Sequence, residues 1–330
     1  MIKSIHFQNF KALRDATLPL GPFTLILGPN GSGKSTAMQA LRFASEPQAY
    51  GFDEIATAGF ARESEPGVKV SIEWSWDGGE VTTVSERLFN RVLGPVPQDN
   101  GSFPDSLKKA LAGFRVFSFD AEALAAPVQA QRLELGPNGS ELAAVLSVLS
   151  GSEPERFQSL NKELQRWLPE FDRIVFDFPG RGMTEFFLRT RVGNYKYRAS
   201  DLSHGTLFAL AFLTLAYLPS PPAIVCFEDH DRGIHPRLLN EVRDGMYRLA
   251  FPENYGEKRA PVQVIATTHS PYLLDLYKDH PEEIVIAHKD DEGVHFERLS
   301  EKPNISEVLE GAPLGDVWYS GILGGVPSSP

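Results

Sequence analysis

Apolar and polar residues along this chain follow two different periods, which together predict an α/β protein. Short apolar or alternating runs bounded by Gly, Pro, Asn and Asp are typical of strands, and apolar stripes three or four residues apart are typical of helices. Strands are predicted at residues 2–10, 16–20, 23–27, 68–76, 81–88, 114–119, 171–178, 184–190, 223–227 and 262–267. Helices are predicted directly after residue 36 and at residues 140–149, 153–168 and 207–217.

The predicted strands are of two kinds. Residues 223–227 are apolar throughout, as parallel strands covered on both faces are, and residues 262–267 form a second run of buried-strand character. The first run ends in two acidic residues and the second in a histidine, so polar groups stand at the edge where such sheets bind ligands. By contrast, residues 68–76 alternate strictly between apolar and polar positions, which is typical of a strand with one packed face.

Length and composition narrow the class of protein. A chain of 330 residues, 42% of them hydrophobic, is long enough for one large α/β domain or two modest ones. The formal net charge of -11 argues against an overall basic nucleic-acid-binding surface, although a local basic patch is compatible with it. Cys226 is the single cysteine, which excludes an intramolecular disulfide and favours a reducing compartment. Because the sequence shows neither a signal pattern nor an apolar run of membrane-spanning length, we expect a cytoplasmic protein that does not enter a membrane.

Residues 28–36, Gly-Pro-Asn-Gly-Ser-Gly-Lys-Ser-Thr, match the phosphate-binding pattern G-x-x-x-x-G-K-S/T between a predicted strand and a predicted helix. The alternative is a glycine-rich turn that carries a lysine by chance. In the functional interpretation, backbone N–H groups surround a phosphate at a helix N-terminus. Lys34 would reach the β- and γ-phosphates, and the Ser35 hydroxyl would bind Mg²⁺. The predicted nucleotide-binding residues of this loop are Asn30, Gly31, Ser32, Gly33, Lys34, Ser35 and Thr36.

Acidic residues and a histidine follow the two buried strands. Glu228 and Asp229 come directly after residues 223–227. One acid can organise a magnesium ion while the other polarises an attacking water, although many strands simply end in charged residues. His269 follows residues 262–267 and is either a sensor of the γ-phosphate or a structural histidine.

A small turn precedes the apolar helix predicted at residues 207–217. Ser203 and Gly205 in the sequence Leu-Ser-His-Gly-Thr present a hydroxyl and backbone N–H groups that suit an anion. An ordinary serine N-cap explains this turn about as well. The motif acquires significance from its position ahead of the acidic strand end.

These motifs occur in a fixed order along the chain. The order is residues 9–11 (Asn-Phe-Lys), 28–36, 202–206, 228–229, 233–236 (Gly-Ile-His-Pro) and 267–271 (Thr-Thr-His-Ser-Pro), with further similarity at 139–146 and 314–321. The set resembles the ABC-type ATPases of the RecF, SMC and OLD group, and most closely the compact stand-alone OLD-like members called AAA-family ATPases. The resemblance covers most of the chain.

The resemblance implies a P-loop NTPase of the ABC-ATPase head type. Its fold class is α/β, with a mixed β-sheet core, an antiparallel β lobe and a helical lobe. We expect one head over residues 1–330. Within it, residues 1–120 form a nucleotide-binding lobe with β hairpins, and residues 121–200 a helical and β insertion. Residues 201–330 carry the signature turn, the Walker B strand and the switch histidine.

The resemblance also implies that ATP and Mg²⁺ join two copies of the chain head-to-tail. Ser203 and Gly205 of one copy would face the phosphate loop of the other. Ser35 and Glu228 take the positions associated with the metal. Glu228 is also expected to take part in catalysis.

Two further catalytic positions and one nucleotide contact carry over from the family. Asp229 falls at the position of the catalytic glutamate, and His269 at that of the switch histidine. Lys11 resembles a basic residue that contacts the nucleotide, and a solvated lysine is the alternative interpretation.

Three departures from the family pattern change these expectations. Asp229 is one methylene shorter than the usual glutamate, so hydrolysis is expected to be slow. His-Asp-Arg stands at residues 230–232, where a Pro-Glu pair is common, which puts the dimer-facing loop in doubt. No glutamine fits the Q-loop well; Gln48 and Gln98 are the candidates.

The expected function is an ATP-dependent dimerisation switch that controls a separate effector, such as a nuclease, in DNA processing or phage defence. The first alternative is a repair factor that binds DNA directly, through a basic groove formed in the dimer. The second is a transporter-type ATPase subunit. The Asn-Phe-Lys pattern, the Glu-Asp pair and the Gly-Ile-His-Pro continuation favour the switch over the transporter.

Overall fold

The computed structural model describes residues 1–45, 51–57, 67–75, 82–90, 94–96, 105–129, 134–291, 293–303, 305 and 313–323. The chain forms two compact units from non-consecutive segments. Unit 1 comprises Met1–Val116, Pro222–His230 and Gln263–Pro330, and unit 2 comprises Phe117–Pro221 and Asp231–Val262. The units therefore interleave along the chain. The three consecutive lobes expected from the sequence stay a prediction.

The secondary structure of the described residues is mixed. The strands are β1 Ile2–Phe10, β2 Leu13–Pro19, β3 Phe23–Leu27, β4 Val68–Ser75, β5 Thr82–Asn90, β6 Gly94–Val96, β7 Phe114–Phe117, β8 Val128–Gln129, β9 Phe171–Gly180, β10 Met183–Thr190, β11 Lys196–Arg198, β12 Ile224–Phe227, β13 Gln263–Thr268, β14 Ile284–Lys289 and β15 Val294–Arg298. The α-helices are α1 Lys34–Ser45, α2 Phe52–Ile55, α3 Asp105–Ala112, α4 Ala121–Ala125, α5 Leu142–Ser152, α6 Pro154–Trp167, α7 His204–Ala216, α8 Leu239–Ala250 and α9 Leu314–Tyr319. Among these helices of the described chain, none has the length and apolar character needed to cross a bilayer.

The central sheet of unit 1 places the predicted phosphate loop and the two buried strands side by side. Its strand order is β15-β14-β3-β13-β12-β7. Strands β14, β3, β13 and β12 run parallel, and β15 is antiparallel to β14. Every residue of β3, β12 and β13 is buried, as expected for parallel strands covered on both faces. Because the strands are parallel, their carboxyl ends meet at one edge of the sheet, as predicted.

An antiparallel sheet of order β2-β1-β4-β5-β6 forms the other layer of unit 1. Ile5 pairs with Ile72 and Phe7 with Val70, and all four side chains are buried. The predicted alternation of β4 is confirmed at its apolar positions, whereas Ser71 on the polar face is also buried. Trp76 and the predicted turn at residues 77–80 lie outside the described residues.

Unit 2 combines helices with a small antiparallel sheet. Strand β10 pairs with β9, β11 and β8, and β9 with β10 is the hairpin predicted around residues 179–182. The predicted apolar stripe of α6 is buried at Leu160, Leu164 and Trp167. Gly245 in α8 allows a close approach, since a Cβ there would lie 3.0 Å from Cη2 of Trp167. Core packing thus accounts for the helical stripe.

The side chain of Gln263 ties β13 to the start of the chain. Its Oε1 accepts from the Ile2 N–H at 3.0 Å, and its Nε2 donates to the carbonyls of Ile2 at 2.7 Å and Gly21 at 2.9 Å. Gln263 is 6% exposed, and its side-chain amide forms its hydrogen bonds inside the core. This network links both layers of unit 1.

Replacing Gln263 by Leu is expected to lower the free energy of unfolding by about 2–4 kcal/mol, because it leaves an N–H and two carbonyls without their partner. Urea denaturation followed by circular dichroism measures this change. Lys3→Ala, at an exposed side chain of β1, is the control and should stay within about 0.5 kcal/mol of the parent. A Gln263→Leu protein as stable as the parent would show that the network contributes nothing.

Candidate nucleotide-binding site

Residues 28–36 connect β3 to α1, and their glycines are required by crowding and by backbone conformation. A Cβ on Gly28 would lie 2.4 Å from the carbonyl oxygen of Ala287, and one on Gly33 would lie 2.8 Å from Cγ1 of Val294. Gly31 and Gly33 have φ of 79° and 91°, in the left-handed region that favours glycine. Strands β14 and β15 therefore form one wall of the loop.

The ammonium group of Lys34 lies inside this loop. Its Nζ donates to the carbonyls of Gly28 at 2.7 Å and Pro29 at 2.9 Å, and lies 3.3 Å from Nδ1 of His269. Burial, opposed by the charge of Asp229, lowers the pKa of Lys34 to about 8. A cation that lacks hydration and is surrounded by neutral carbonyls is suited to a strongly anionic ligand. The loop therefore fits a polyphosphate.

Ser35 and Glu228 form a second pair beside the loop. Their side chains share a hydrogen bond. Burial raises the pKa of Glu228, and the negative charge of Asp229 raises it further. The hydrogen bond from Ser35 opposes this rise. A hydroxyl and a carboxylate oxygen are the hard ligands that Mg²⁺ prefers. Because burial and a neighbouring acid disfavour the ionised form of Glu228, a cation held by this pair would stabilise the carboxylate, so the pair fits the metal implied by the family.

Asp229 and His269 extend the site. Oδ1 of Asp229 lies 3.3 Å from Nε2 of His269. A protonated lysine has only donors, so Lys34 can donate to Nδ1 of His269, whose Nε2 faces Asp229. Lys34, His269 and Asp229 thus form a continuous series of polar contacts, named here the relay.

Thr267, the first residue of the Thr-Thr-His-Ser-Pro motif, supports the turn that carries Asp229. Its Oγ1 accepts from the Asp229 N–H at 3.0 Å, and its carbonyl lies 3.0 Å from Nδ1 of buried His230. Asp229 has φ of 45°, a conformation that Asp adopts more readily than most side chains. His230, unexpected from the family pattern, therefore has a structural role in this turn.

Lys11 lies against the helix that follows the phosphate loop. Its Nζ donates to Oε1 of Gln39 at 2.7 Å, and both Asn9 and Lys11 have positive φ. The predicted contact of Lys11 with a nucleotide stays a prediction. Gln48 and Gln98, the candidates for a Q-loop residue, lie outside the described residues.

Ser203 and Gly205 lie in unit 2, at the start of α7. Oγ of Ser203 accepts from the Thr206 N–H at 3.1 Å, so Ser203 is the N-cap of α7. A Cβ on Gly205 would lie 2.8 Å from the carbonyl oxygen of Gly233, which joins this turn to the Gly-Ile-His-Pro segment. Ser203 and His204 are exposed, so the start of this helix is accessible to solvent.

Of the predicted site residues, the structure brings Lys34, Ser35, Glu228, Asp229 and His269 together in unit 1. Within the loop, Ser32 is buried, whereas Asn30 and Gly31 are exposed at its tip and Thr36 is partly buried. The contributions of Ala287, Val294 and Thr267 were missed, because a close approach between distant segments leaves no local pattern in a sequence.

Comparisons with known proteins agree with this architecture. Residues 101–275, more than half of the chain, match the family described as "AAA domain, putative AbiEii toxin, Type IV TA system". Residues 1–82 match the family described as "AAA ATPase domain". An OLD nuclease of Thermus scotoductus (strain ATCC 700910 / SA-01) is 51% identical over 41 residues, which are 12% of this chain and 8% of that relative. The matched segment is therefore a small part of the nuclease.

An SMC head of known structure shares this fold at low sequence identity. The SMC head bound to the C-winged helix domain of ScpA is similar with a TM-score of 0.60 and 15% identity, over 90% of this chain and 96% of that one. The SMC head domain from Thermotoga maritima has a TM-score of 0.49 at 16% identity, over 90% and 98% of the two chains. RecF bound to ATP has a TM-score of 0.46 at 13% identity, over 82% and 93%.

The phosphate loop, the acidic strand end and the histidine strand end meet at one edge of a mixed sheet, as the resemblance implied. The fold of the SMC head covers nearly the whole chain, and the longer family match spans both units. The chain therefore belongs to the family described as "AAA domain, putative AbiEii toxin, Type IV TA system", and it shares the fold of the SMC head.

Proposed function

We propose that this protein binds and hydrolyses ATP in a Mg²⁺-dependent reaction that joins two copies of the chain and controls a separate effector. One observation carries the proposal: the relay from Lys34 through His269 to Asp229 lies beside the Ser35–Glu228 pair. Phosphoryl transfer to water requires a cationic hydrogen-bond donor, a pair of metal-binding groups and a base. Side chains of these three kinds meet at one edge of the sheet.

Lys34 and the backbone N–H groups of residues 31–36 would bind the β- and γ-phosphates, where the N-terminus of α1 adds partial positive charge. Ser35 and Glu228 would hold Mg²⁺, which when bound neutralises charge on the phosphate oxygens. Asp229 would orient the attacking water and accept its proton. His269 moves from Lys34 to the γ-phosphate once Lys34 has an anionic partner, and so reports the presence of that phosphate.

The exposed turn of unit 2 supports the proposed dimer. The relay belongs to unit 1, whereas Ser203 and Gly205 belong to unit 2 and present an exposed helix start. A second copy would supply its Ser203 hydroxyl and helix N-terminus to the γ-phosphate held by the first. ATP would then stabilise the dimer, and hydrolysis would release it.

The proposed effector is a separate protein of nuclease type, acting in DNA processing or defence. The similarity of 41 residues to an OLD nuclease supports this choice. If the native host yields only the ATPase when an ATP-trapped form of the protein is used as bait, the effector hypothesis is wrong. Direct DNA binding is the second candidate, and the net charge of -11 disfavours it; absence of DNA binding at low salt with ATP would exclude it.

Replacing Lys34 by Ala is expected to weaken ATP binding at least about 100-fold, because the buried charge-assisted contacts to phosphate are lost. Isothermal titration calorimetry measures the dissociation constant. Lys289→Ala, at an exposed lysine of β14, is the matched control and should bind ATP like the parent. Retention of ATP affinity by Lys34→Ala would contradict the assignment of the loop.

ATP binding is expected to weaken with rising pH. Phosphate oxygens raise the pKa of Lys34 in the complex above its value of about 8. At a pH between these two pKa values, Lys34 is deprotonated in the free protein and protonated in the complex, so binding takes up a proton. The dissociation constant therefore rises by up to about tenfold per pH unit above this pKa. Calorimetry in buffers of different ionisation enthalpy near pH 9 should show proton uptake; its absence there would contradict the role of Lys34.

Asp229→Asn is expected to abolish hydrolysis and to accumulate an ATP-bound dimer, because the amide cannot accept the proton of the attacking water. Light scattering with and without Mg-ATP measures the dimer. Glu228→Gln should instead lower Mg²⁺ affinity. If Asp229→Asn hydrolyses ATP like the parent while Glu228→Gln does not, the two roles are exchanged.

Ser203→Arg is expected to leave ATP binding by the monomer unchanged and to prevent the ATP-dependent dimer, since a large side chain would occupy the facing surface. Sedimentation velocity of the Asp229→Asn protein with and without Ser203→Arg separates the two effects. Ser203→Ala is the control for loss of the N-cap alone, which affects stability by about 1 kcal/mol. A dimer that survives Ser203→Arg would remove Ser203 from the interface.

A further inference from the structure

The backbone beyond the switch histidine is held by the last described helix of the chain. The 3-10 segment Pro271–Tyr277 follows His269 closely, and α9 packs on it. A Cβ on Gly315 would lie 2.5 Å from the carbonyl oxygen of Pro271 and 3.0 Å from its carbonyl carbon. Both atoms are backbone, so a larger residue at 315 must displace the main chain. Gly315 thus fixes the position of a peptide two residues beyond His269.

A hydrogen bond and apolar burial keep α9 in this place. The Leu314 N–H donates to Oδ1 of Asp275 at 2.6 Å, and Leu314 and Trp318 are buried. At the other end of the 3-10 segment, Tyr277 stacks on Phe23 of β3 with ring centroids 5.4 Å apart. The segment is therefore clamped between α9 and the central sheet.

The position of His269 depends on the backbone on both sides of it. Its side chain is partly exposed and bridges Lys34 and Asp229 through its two ring nitrogens. On the preceding side, β13 is fixed between β3 and β12 in the sheet. On the following side, the peptide of Pro271 is fixed by α9. A displacement of Pro271 would therefore move the imidazole relative to both of its partners.

We propose that α9 is a positioning element for His269, acting through the contact of Gly315 with Pro271 and the bond between Leu314 and Asp275. Helix α9 thereby sets the rate of the hydrolysis step and leaves ATP affinity unchanged. The rate effect rests on the ATPase function proposed above. The placement of His269 by α9 does not depend on that function.

Gly315→Ala in the full chain is expected to lower kcat for ATP hydrolysis about 10- to 100-fold, since a misplacement of about 1 Å has effects of this size. The dissociation constant for Mg-ATP should change less than about twofold, because Lys34 and the phosphate loop are untouched. Ser320→Ala, which removes a hydroxyl of the turn after α9 that bonds to Val317, is the control and should behave like the parent. Unchanged kcat in Gly315→Ala, or a parallel loss of ATP affinity, would overturn the proposal.

Asp275 offers a second route if Gly315→Ala does not fold. Asp275→Asn retains an acceptor for the Leu314 N–H and should keep near-parental kcat, whereas Asp275→Ala should reproduce the loss. A double mutant tests whether α9 acts through the histidine. In a His269→Ala background, Gly315→Ala should lower kcat by less than about twofold further. Additive losses would show that α9 acts elsewhere.

The imidazole signals of His269 provide a readout independent of catalysis. In ¹⁵N-histidine-labelled protein without nucleotide, His269→Gln assigns these signals. Gly315→Ala should shift them, whereas Ser320→Ala should not. If the parent fails to hydrolyse ATP but the signals shift, the proposed function is wrong and the positioning role stands. If the parent hydrolyses ATP and the signals stay in place, the positioning role is wrong and the proposed function stands.

Discussion

A buried ammonium group without a full counter-charge is the constraint on which the nucleotide site depends. The Lys34 side chain is 5% exposed, and the carbonyls of Gly28 and Pro29 replace only part of its hydration. The ring of His269 separates Lys34 from the negatively charged Asp229. A triphosphate would give Lys34 a direct anionic partner and free His269 from it. In the proposed site, His269 would then be available to the γ-phosphate.

Parallel strands bring the remaining groups to this lysine. The ends of β3, β13 and β12 lie next to one another, so a loop, a histidine and two acids meet although they are far apart in sequence. Local contacts also shape two of these regions. Gly33 lets the wall formed by β15 approach the loop, and Thr267 holds Asp229 in a left-handed conformation that directs its carboxylate to His269.

Much of this arrangement could be predicted from the sequence, because apolar runs such as residues 223–227 identify strands buried on both faces. The phosphate loop, the acidic strand end and the histidine strand end were all placed correctly at carboxyl ends of strands. Other features could not be predicted. The crowding of Gly28 by Ala287 and of Gly315 by Pro271 joins segments whose proximity exists only in the folded chain. Helix α8 was also missed, because Gly245 lowers its helix propensity while contact with Trp167 compensates in the fold.

Unit 2 contributes an exposed turn to the proposed site. Ser203 caps its own helix and remains exposed, which suits a group that acts on a ligand held by another molecule. The central claim is that the site of one copy is completed by the Ser203 turn of a second. A crystal structure of Asp229→Asn protein with Mg-ATP tests this most directly. The account predicts a dimer with two ATP molecules, each between Lys34 of one copy and Ser203 of the other. An ATP molecule bound at Lys34, with Ser203 of every copy facing solvent, would contradict it.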